Sequence, residues 1–309
     1  MRLKLGRPDI AQYSDRFDVP RVDGDCAVTF LGVSTLLLTD GDSAVMTDGF
    51  FSRPSLLKVG LGRIAPDHDR ISTVLARTGV TTLEAVLPLH THFDHALDSA
   101  VVAERTGAVL IGGGSAANIG RGGGLPEDRL RLVASGESLR LGAFHFTWIE
   151  SDHCPPDRFP GAIESPVVPP TRVGSYRCGE TWSLMVRHDS GRSALIQGSA
   201  GYVAGALAGQ RADVAYLGVG QLGVQDEDYI RTYWAETVQA VGAKRVVLLH
   251  WDDFFRPLDA PMRALPYVGD DLEVTMRVFE RLADEQGIAL HFPTVWARED
   301  PWVGLRGEG

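Results

Sequence analysis

The sequence predicts a layered α/β fold, in which outer helices cover a core of sheet. Strand-like runs crowd the first half of the 309 residues, and helical and strand-like runs alternate in the second. No apolar run approaches the ~18 residues that a membrane helix needs. Hydrophobic residues make up 44% and charged residues 23% of the chain, which provides for a buried core and excludes a largely disordered protein.

Residues 1–24 are polar and mixed and read as an irregular lead-in. Strands follow at 26–31, 35–39 and 43–48. Gly32 separates the first two, and Asp40, Gly41 and Asp42 give a hairpin signal between the next two. Residues 83–89 read as a buried strand that runs into a histidine-rich turn. A helix is predicted over 96–105, then a strand over 108–111, with glycine-rich turns at 112–114 and 122–124. Residues 139–141 and 144–149 pair as a hairpin. The proline-rich stretch 154–174 lacks periodicity and reads as an ordered loop. Strands resume at 183–187, 193–197 and 214–217. Apolar residues near every third or fourth position predict a helix over 227–241. A buried strand at 245–249, a helix at 271–286 and a strand at 288–292 close the series. No linker divides the chain, so residues 1–309 read as one domain.

The net charge is −10, from 30 basic and 40 acidic side chains. Such a surface repels phosphate backbones, so the expected partner is a small-molecule substrate and not nucleic acid. Cys26, Cys154 and Cys178 are too few for a disulfide scaffold. The first ten residues lack the apolar stretch of a secretory signal, and a reducing, cytoplasmic setting is expected. No membrane span is expected, and nothing in the sequence assigns an oligomeric state.

The strongest chemical signal is the run Pro88, Leu89, His90, Thr91, His92, Phe93, Asp94, His95. Nine histidines in the whole chain make this concentration improbable by chance. If the segment is extended, alternate residues share a face, so His90, His92 and Asp94 converge, and His95 reaches a neighbouring point after a turn. Imidazole nitrogens and a carboxylate suit zinc at ~2.0–2.2 Å. A closed structural zinc site would favour cysteines, and none lies here.

This HxHxDH pattern resembles the metallo-β-lactamase fold superfamily, and the resemblance runs from about Cys26 to Phe292. It implies an αββα four-layer sandwich with a metal site at one edge between two sheets. It also implies two distal ligands, which match His153 and His250, each placed just after a strand. The metal ligands implied are therefore His90, His92, Asp94, His95, His153 and His250. One departure stands out: Ser199 occupies the place where the family commonly has a metal-bridging Asp. Two arrangements follow. In one, His90, His92 and His153 hold a first metal, and Asp94, His95 and His250 a second. In the other, a single metal suffices. Two zinc ions per chain are expected, with manganese or iron as alternatives. The lost carboxylate speaks against a mononuclear iron dioxygenase of this fold.

Residues 30–32 and 47–54 resemble the ascorbate-6-phosphate lactonase-like and N-acylphosphatidylethanolamine phospholipase D-like branch. There an Asp at the place of Asp48 lies beside the metal ligands, so Asp48 is expected to accept an N–H from a ligand histidine. Asp252 and Asp253 read equally as orienting groups or as a solvated loop. Loop 154–174 is placed to wall the cleft, with Arg158, Arg172 and Arg177 for an anionic group and Phe159, Val167 and Val168 for an apolar slot. The resemblance implies a hydrolase in which a metal-bound hydroxide attacks a lactone or carboxylic ester, with Asp94 passing a proton to the leaving group. Alternatives are a phosphodiesterase, a β-lactam hydrolase and a metal-binding protein without catalysis.

Overall fold

In the computed structural model, which describes residues 4–22 and 26–305, two seven-stranded sheets face each other. The first half of the chain supplies strands β1 (Cys26–Phe30), β2 (Leu36–Asp40), β3 (Ala44–Thr47), β4 (Ala85–Leu87), β5 (Val109–Gly112) and β6 (Leu130–Leu132). Its helices are α1 (Leu56–Leu61), α2 (His68–Thr78), α3 (Phe93–Ala96), α4 (Ser99–Thr106) and α5 (Gly114–Gly122). The remainder supplies β7 (Ser138–Leu141), β8 (Phe144–Glu150), β9 (Trp182–His188), β10 (Ser193–Gln197), β11 (Val214–Gly218), β12 (Arg245–Leu249), β13 (Ala289–His291) and β14 (Arg298–Glu299). Helices α6 (Glu227–Trp234) and α7 (Leu272–Gln286) lie in this half.

The sheet orders are β14-β1-β2-β3-β4-β5-β6 and β13-β12-β11-β10-β9-β8-β7. The expected αββα sandwich is therefore observed. Period-two alternation builds its layers: Leu36 and Leu38 join the main core with Trp148, Leu184 and Ile196 of the second sheet. Leu37 turns the other way, onto Ile71, Val74 and Leu75 of α2 and Val102 of α4. Fully burying one such side chain contributes about 1.5–3 kcal/mol.

Strand direction decides where the chemistry sits. β1, β3, β4, β5 and β6 run one way in the first sheet, and β8, β10, β11, β12 and β13 run alike in the second. The carboxyl ends of these strands meet at one rim, where ligands of open α/β sheets usually bind.

Several elements differ from the sequence reading. The lead-in is not irregular throughout: Ile10–Arg16 forms a 3-10 helix, and Tyr13 packs on Phe292 with ring centroids 5.7 Å apart. Residues 1–3, 23 and 24 of that lead-in lie outside the described residues. The helix expected over 96–105 starts earlier and is divided into α3 and α4. The glycines expected to make only turns bracket α5, where a Cβ at Gly122 would lie 1.9 Å from the carbonyl oxygen of Val167. The helix at 227–241 widens into a π-turn over Ala235–Gln239. No helix among the described residues is long and apolar enough to cross a membrane.

Candidate metal centre

The histidine-rich segment does not continue β4. The strand ends at Leu87, the chain turns, and His92 caps the short helix α3. Period-two convergence of His90, His92 and Asp94 therefore fails. Asp94 and His95 sit together in one helical turn. The structure instead brings together two sets of three, His90 with His92 and His153, and Asp94 with His95 and His250. Within each set the donor atoms lie within 4.8 Å of one another. The sets adjoin, with the His90 and His95 ring centroids 3.7 Å apart. His153 follows β8 and His250 follows β12, so both sheets contribute.

Hydrogen bonds fix which nitrogen of three rings faces inward. A carboxylate or carbonyl oxygen only accepts, so the ring nitrogen against it carries the hydrogen. His95 Nδ1 donates to Asp48 Oδ2 at 2.8 Å, leaving the lone pair on Nε2. His153 Nδ1 donates to the Cys154 carbonyl at 2.7 Å, and His92 Nε2 to the Phe159 carbonyl at 3.4 Å. Their lone pairs are then on Nε2 and Nδ1. Among the described residues, both ring nitrogens of His90, Nε2 of His95 and Nδ1 of His250 are buried without a hydrogen-bond partner. Orphaned buried polar atoms are costly, and a cation between the triads would satisfy His95 Nε2 and one nitrogen of His90; His250 Nδ1 lies instead against Gly220, and its Nε2 faces Asp94.

The electrostatics fit a cation. Burial pushes His90 well below its ordinary pKa and, with the neighbouring His92, draws His153 down to about 4. Burial lowers His92 as well. These rings stay neutral near pH 7. Burial alone would raise Asp94, but His95 and His250 outweigh it and hold the carboxyl below the usual carboxylate range. Burial opposes charge on His250, yet Asp94, whose Oδ2 lies 3.2 Å from Nε2, lifts its pKa.

Asp48 follows β3 and is fully buried. Ser199 Oγ accepts the Cys154 amide at 3.0 Å and fastens the backbone beside His153. Cys154 itself is buried, burial pushes its thiol up to about 12, and it belongs to neither donor set. Asp252 and Asp253 are not a solvated loop. Asp252 pairs with buried Arg53 and accepts the Val33 amide at 2.9 Å, and Asp253 pairs with Arg7 at 2.8 Å. His145, His188 and His291 pair with Asp189, Asp40 and Asp18 away from the centre.

Val33, Asp48, Arg53 and His250 all hold left-handed backbone, with φ of 53°, 53°, 42° and 58°. Such torsions cost about 1–3 kcal/mol each and persist where the surroundings over-determine them. Here the His250 amide donates to the Val33 carbonyl at 2.7 Å, locking the two sheets' strand ends together.

Loop 154–174 borders the centre through Phe159, 6.5 Å from His92 between ring centroids. Arg158, Arg172 and Arg177 are exposed, and Val167 packs into an apolar cluster with Ile119 and Tyr176. Sequence reasoning missed an aromatic wall. Phe254 lies 5.4 Å from His250, and Phe93 and Phe255 pack against Phe254 at 6.1 and 4.5 Å. Its one sequence signal was the Phe254, Phe255 pair just after His250. Asp157, 3.2 Å from His92, was also missed.

No protein-family model matches the chain, and no curated protein does. Solved structures with TM-scores above 0.5 share its fold. A possible metal-dependent hydrolase from Veillonella parvula is similar at a TM-score of 0.54 with 13% identity, over 88% of this chain and 97% of that one. CmlA, a diiron beta-hydroxylase from Streptomyces venezuelae, is similar at 0.52 with 12% identity; 89% of this chain covers 53% of it. The metallo-beta-lactamase fold protein YhfI from Bacillus subtilis aligns at 0.48 with 13% identity, over 90% and 98% of the two chains.

Proposed function

We propose that the chain is a metal-dependent hydrolase acting on a lactone or carboxylic ester. The paired donor sets carry this reading: six buried or half-buried ligands in two adjoining triads, with His90 and Nε2 of His95 left without hydrogen-bond partners among them. His90, His92 and His153 would hold one divalent ion and Asp94, His95 and His250 another, zinc by preference, since nitrogen and carboxylate donors suit it. Iron and manganese suit the same donors. Bound there, such ions lower the pKa of water toward ~7 and polarise a carbonyl or phosphoryl oxygen.

The chain's own groups do the rest. Asp48 holds His95 in the tautomer that offers Nε2. Asp94, ionised at neutral pH, would take the proton released by the attacking water at a carboxylate oxygen and return it to the departing alkoxide oxygen. Phe93, Phe254 and Phe255 exclude water and give the apolar part of the substrate a surface. The preference for a lactone or ester follows the branch resemblance at residues 30–32 and 47–54.

The test is elemental analysis of protein purified without chelator, beside His250→Ala, followed by hydrolysis assays. About two metal ions per chain, falling to about one in the variant, is the expected result. Turnover should favour lactones or esters over a bis-aryl phosphodiester and a β-lactam. Metal uptake without turnover of any of these would instead indicate a binding protein, and preferred phosphodiester cleavage a phosphodiesterase.

A further inference from the structure

The outer nitrogens of His95 and His153 are held by the scaffold, one by a buried carboxylate and one by the backbone next in sequence. His92 is different. Its Nε2 faces the proline-rich loop, with the Phe159 carbonyl at 3.4 Å and Asp157 Oδ1 at 3.2 Å. Asp157 is itself oriented, because its Oδ1 accepts the Phe159 amide at 2.9 Å. The loop is tied to the histidine segment at this point. The Cys178 amide donates to the Phe159 carbonyl at 2.8 Å, the Thr91 amide to the Cys178 carbonyl at 2.7 Å, and Thr91 Oγ1 to the Arg177 carbonyl at 2.6 Å.

We propose that Asp157 positions His92, and that through it loop 154–174 sets the affinity of the three-histidine site. The inference rests on the reading that these histidines hold a cation. The Phe159 carbonyl accepts the Nε2 hydrogen, which keeps the lone pair on Nδ1, and the Asp157 carboxylate lies 3.2 Å from the same nitrogen. The negative charge of Asp157 makes that lone pair more basic, the usual effect of a carboxylate behind a metal-binding histidine. Ser199 contributes no carboxylate to the centre, so charge from the loop matters more here.

A different use of the same atoms is a separate cation held by His92, Asp157 and Cys178, whose donor atoms also lie within 4.8 Å of one another. Two features oppose it: the Nε2 that would have to ligate carries the hydrogen that the Phe159 carbonyl accepts, and Cys178 Sγ is already engaged by Thr181 Oγ1 at 3.3 Å.

Zinc titration of the full chain against a chromophoric chelator separates these cases, with Asp157→Ala, Asp157→Asn and Cys178→Ala beside wild type. Asp157→Ala should weaken one of the two equivalents by about 10–100-fold and leave the other unchanged. Asp157→Asn, which keeps an acceptor and loses the charge, should fall between. Cys178→Ala should bind as wild type. Long-range proton–nitrogen NMR should place the His92 hydrogen on Nε2 in wild type, and Asp157→Ala should lose its protection from exchange. Wild-type affinity in Asp157→Ala would overturn the proposal. So would equal loss of both equivalents, which would make Asp157 a shared ligand, or loss of an equivalent in Cys178→Ala. A wild-type chain that binds no zinc would remove the metal reading and this inference with it.

Discussion

Asp48 is fully buried, yet its carboxylate is satisfied on every side. Oδ1 accepts the Leu89 amide at 2.8 Å, and Oδ2 accepts Ser34 Oγ at 2.7 Å and His95 Nδ1 at 2.8 Å. One residue thus joins the ends of β1, β3 and β4 to a candidate ligand. In Asp48→Asn the amide replaces an acceptor with a donor or flips away from one partner. We expect about a 10–100-fold loss of affinity at the set that includes His95. Competition titration, with a chelator-treated thermal melt as the control for folding, checks this. The ligand run was legible at this scale because four of its members are near neighbours in sequence. Asp157 and the aromatic wall were not, because only tertiary folding carries them to His92 and His250.

At the scale of elements, strands with strong apolar content were legible: 245–249 is β12, and 193–197 is β10. The helices were harder. α2 has clear signals in hindsight, since Asp67 accepts the Arg70 amide at 3.1 Å and Gly79 takes a left-handed C-cap with φ 70°. α5 is another matter, because its glycines argue locally against a helix. They are explained by what presses on them. The loop carbonyl of Val167 rests where a Cβ of Gly122 would be, and the Val167 amide donates to the Asn118 carbonyl of α5 at 3.2 Å. Gly122→Ala should therefore push the loop off α5 despite improving helix propensity. We expect a loss of about 1–3 kcal/mol in denaturant titration.

Across the whole molecule, three buried acids set a pH dependence. Burial raises Asp98 from an ordinary 3.8 to about 6, Asp270 from 3.8 to about 7 and Glu299 from 4.5 to about 7. Between their unfolded and folded values, the folded chain holds more protons than the unfolded one. Their contribution to stability is full below about pH 4 and is lost as pH rises through 6 to 7. We expect these acids to lower the metal-free protein's denaturant midpoint between pH 5 and pH 8, against the gain from the histidines held neutral, and Glu299→Gln to remove part of that loss. An unchanged slope in the variant would show that Glu299 is ionised in the folded chain. The two triads have a consequence on the same scale. Each draws ligands from both sheets, so an ion seated in either rivets the halves of the sandwich together. An occupant at a hundred times its dissociation constant adds about 2.7 kcal/mol, and at ambient scarcity almost nothing. The protein's persistence would then report the supply of metal around it, before any substrate is met.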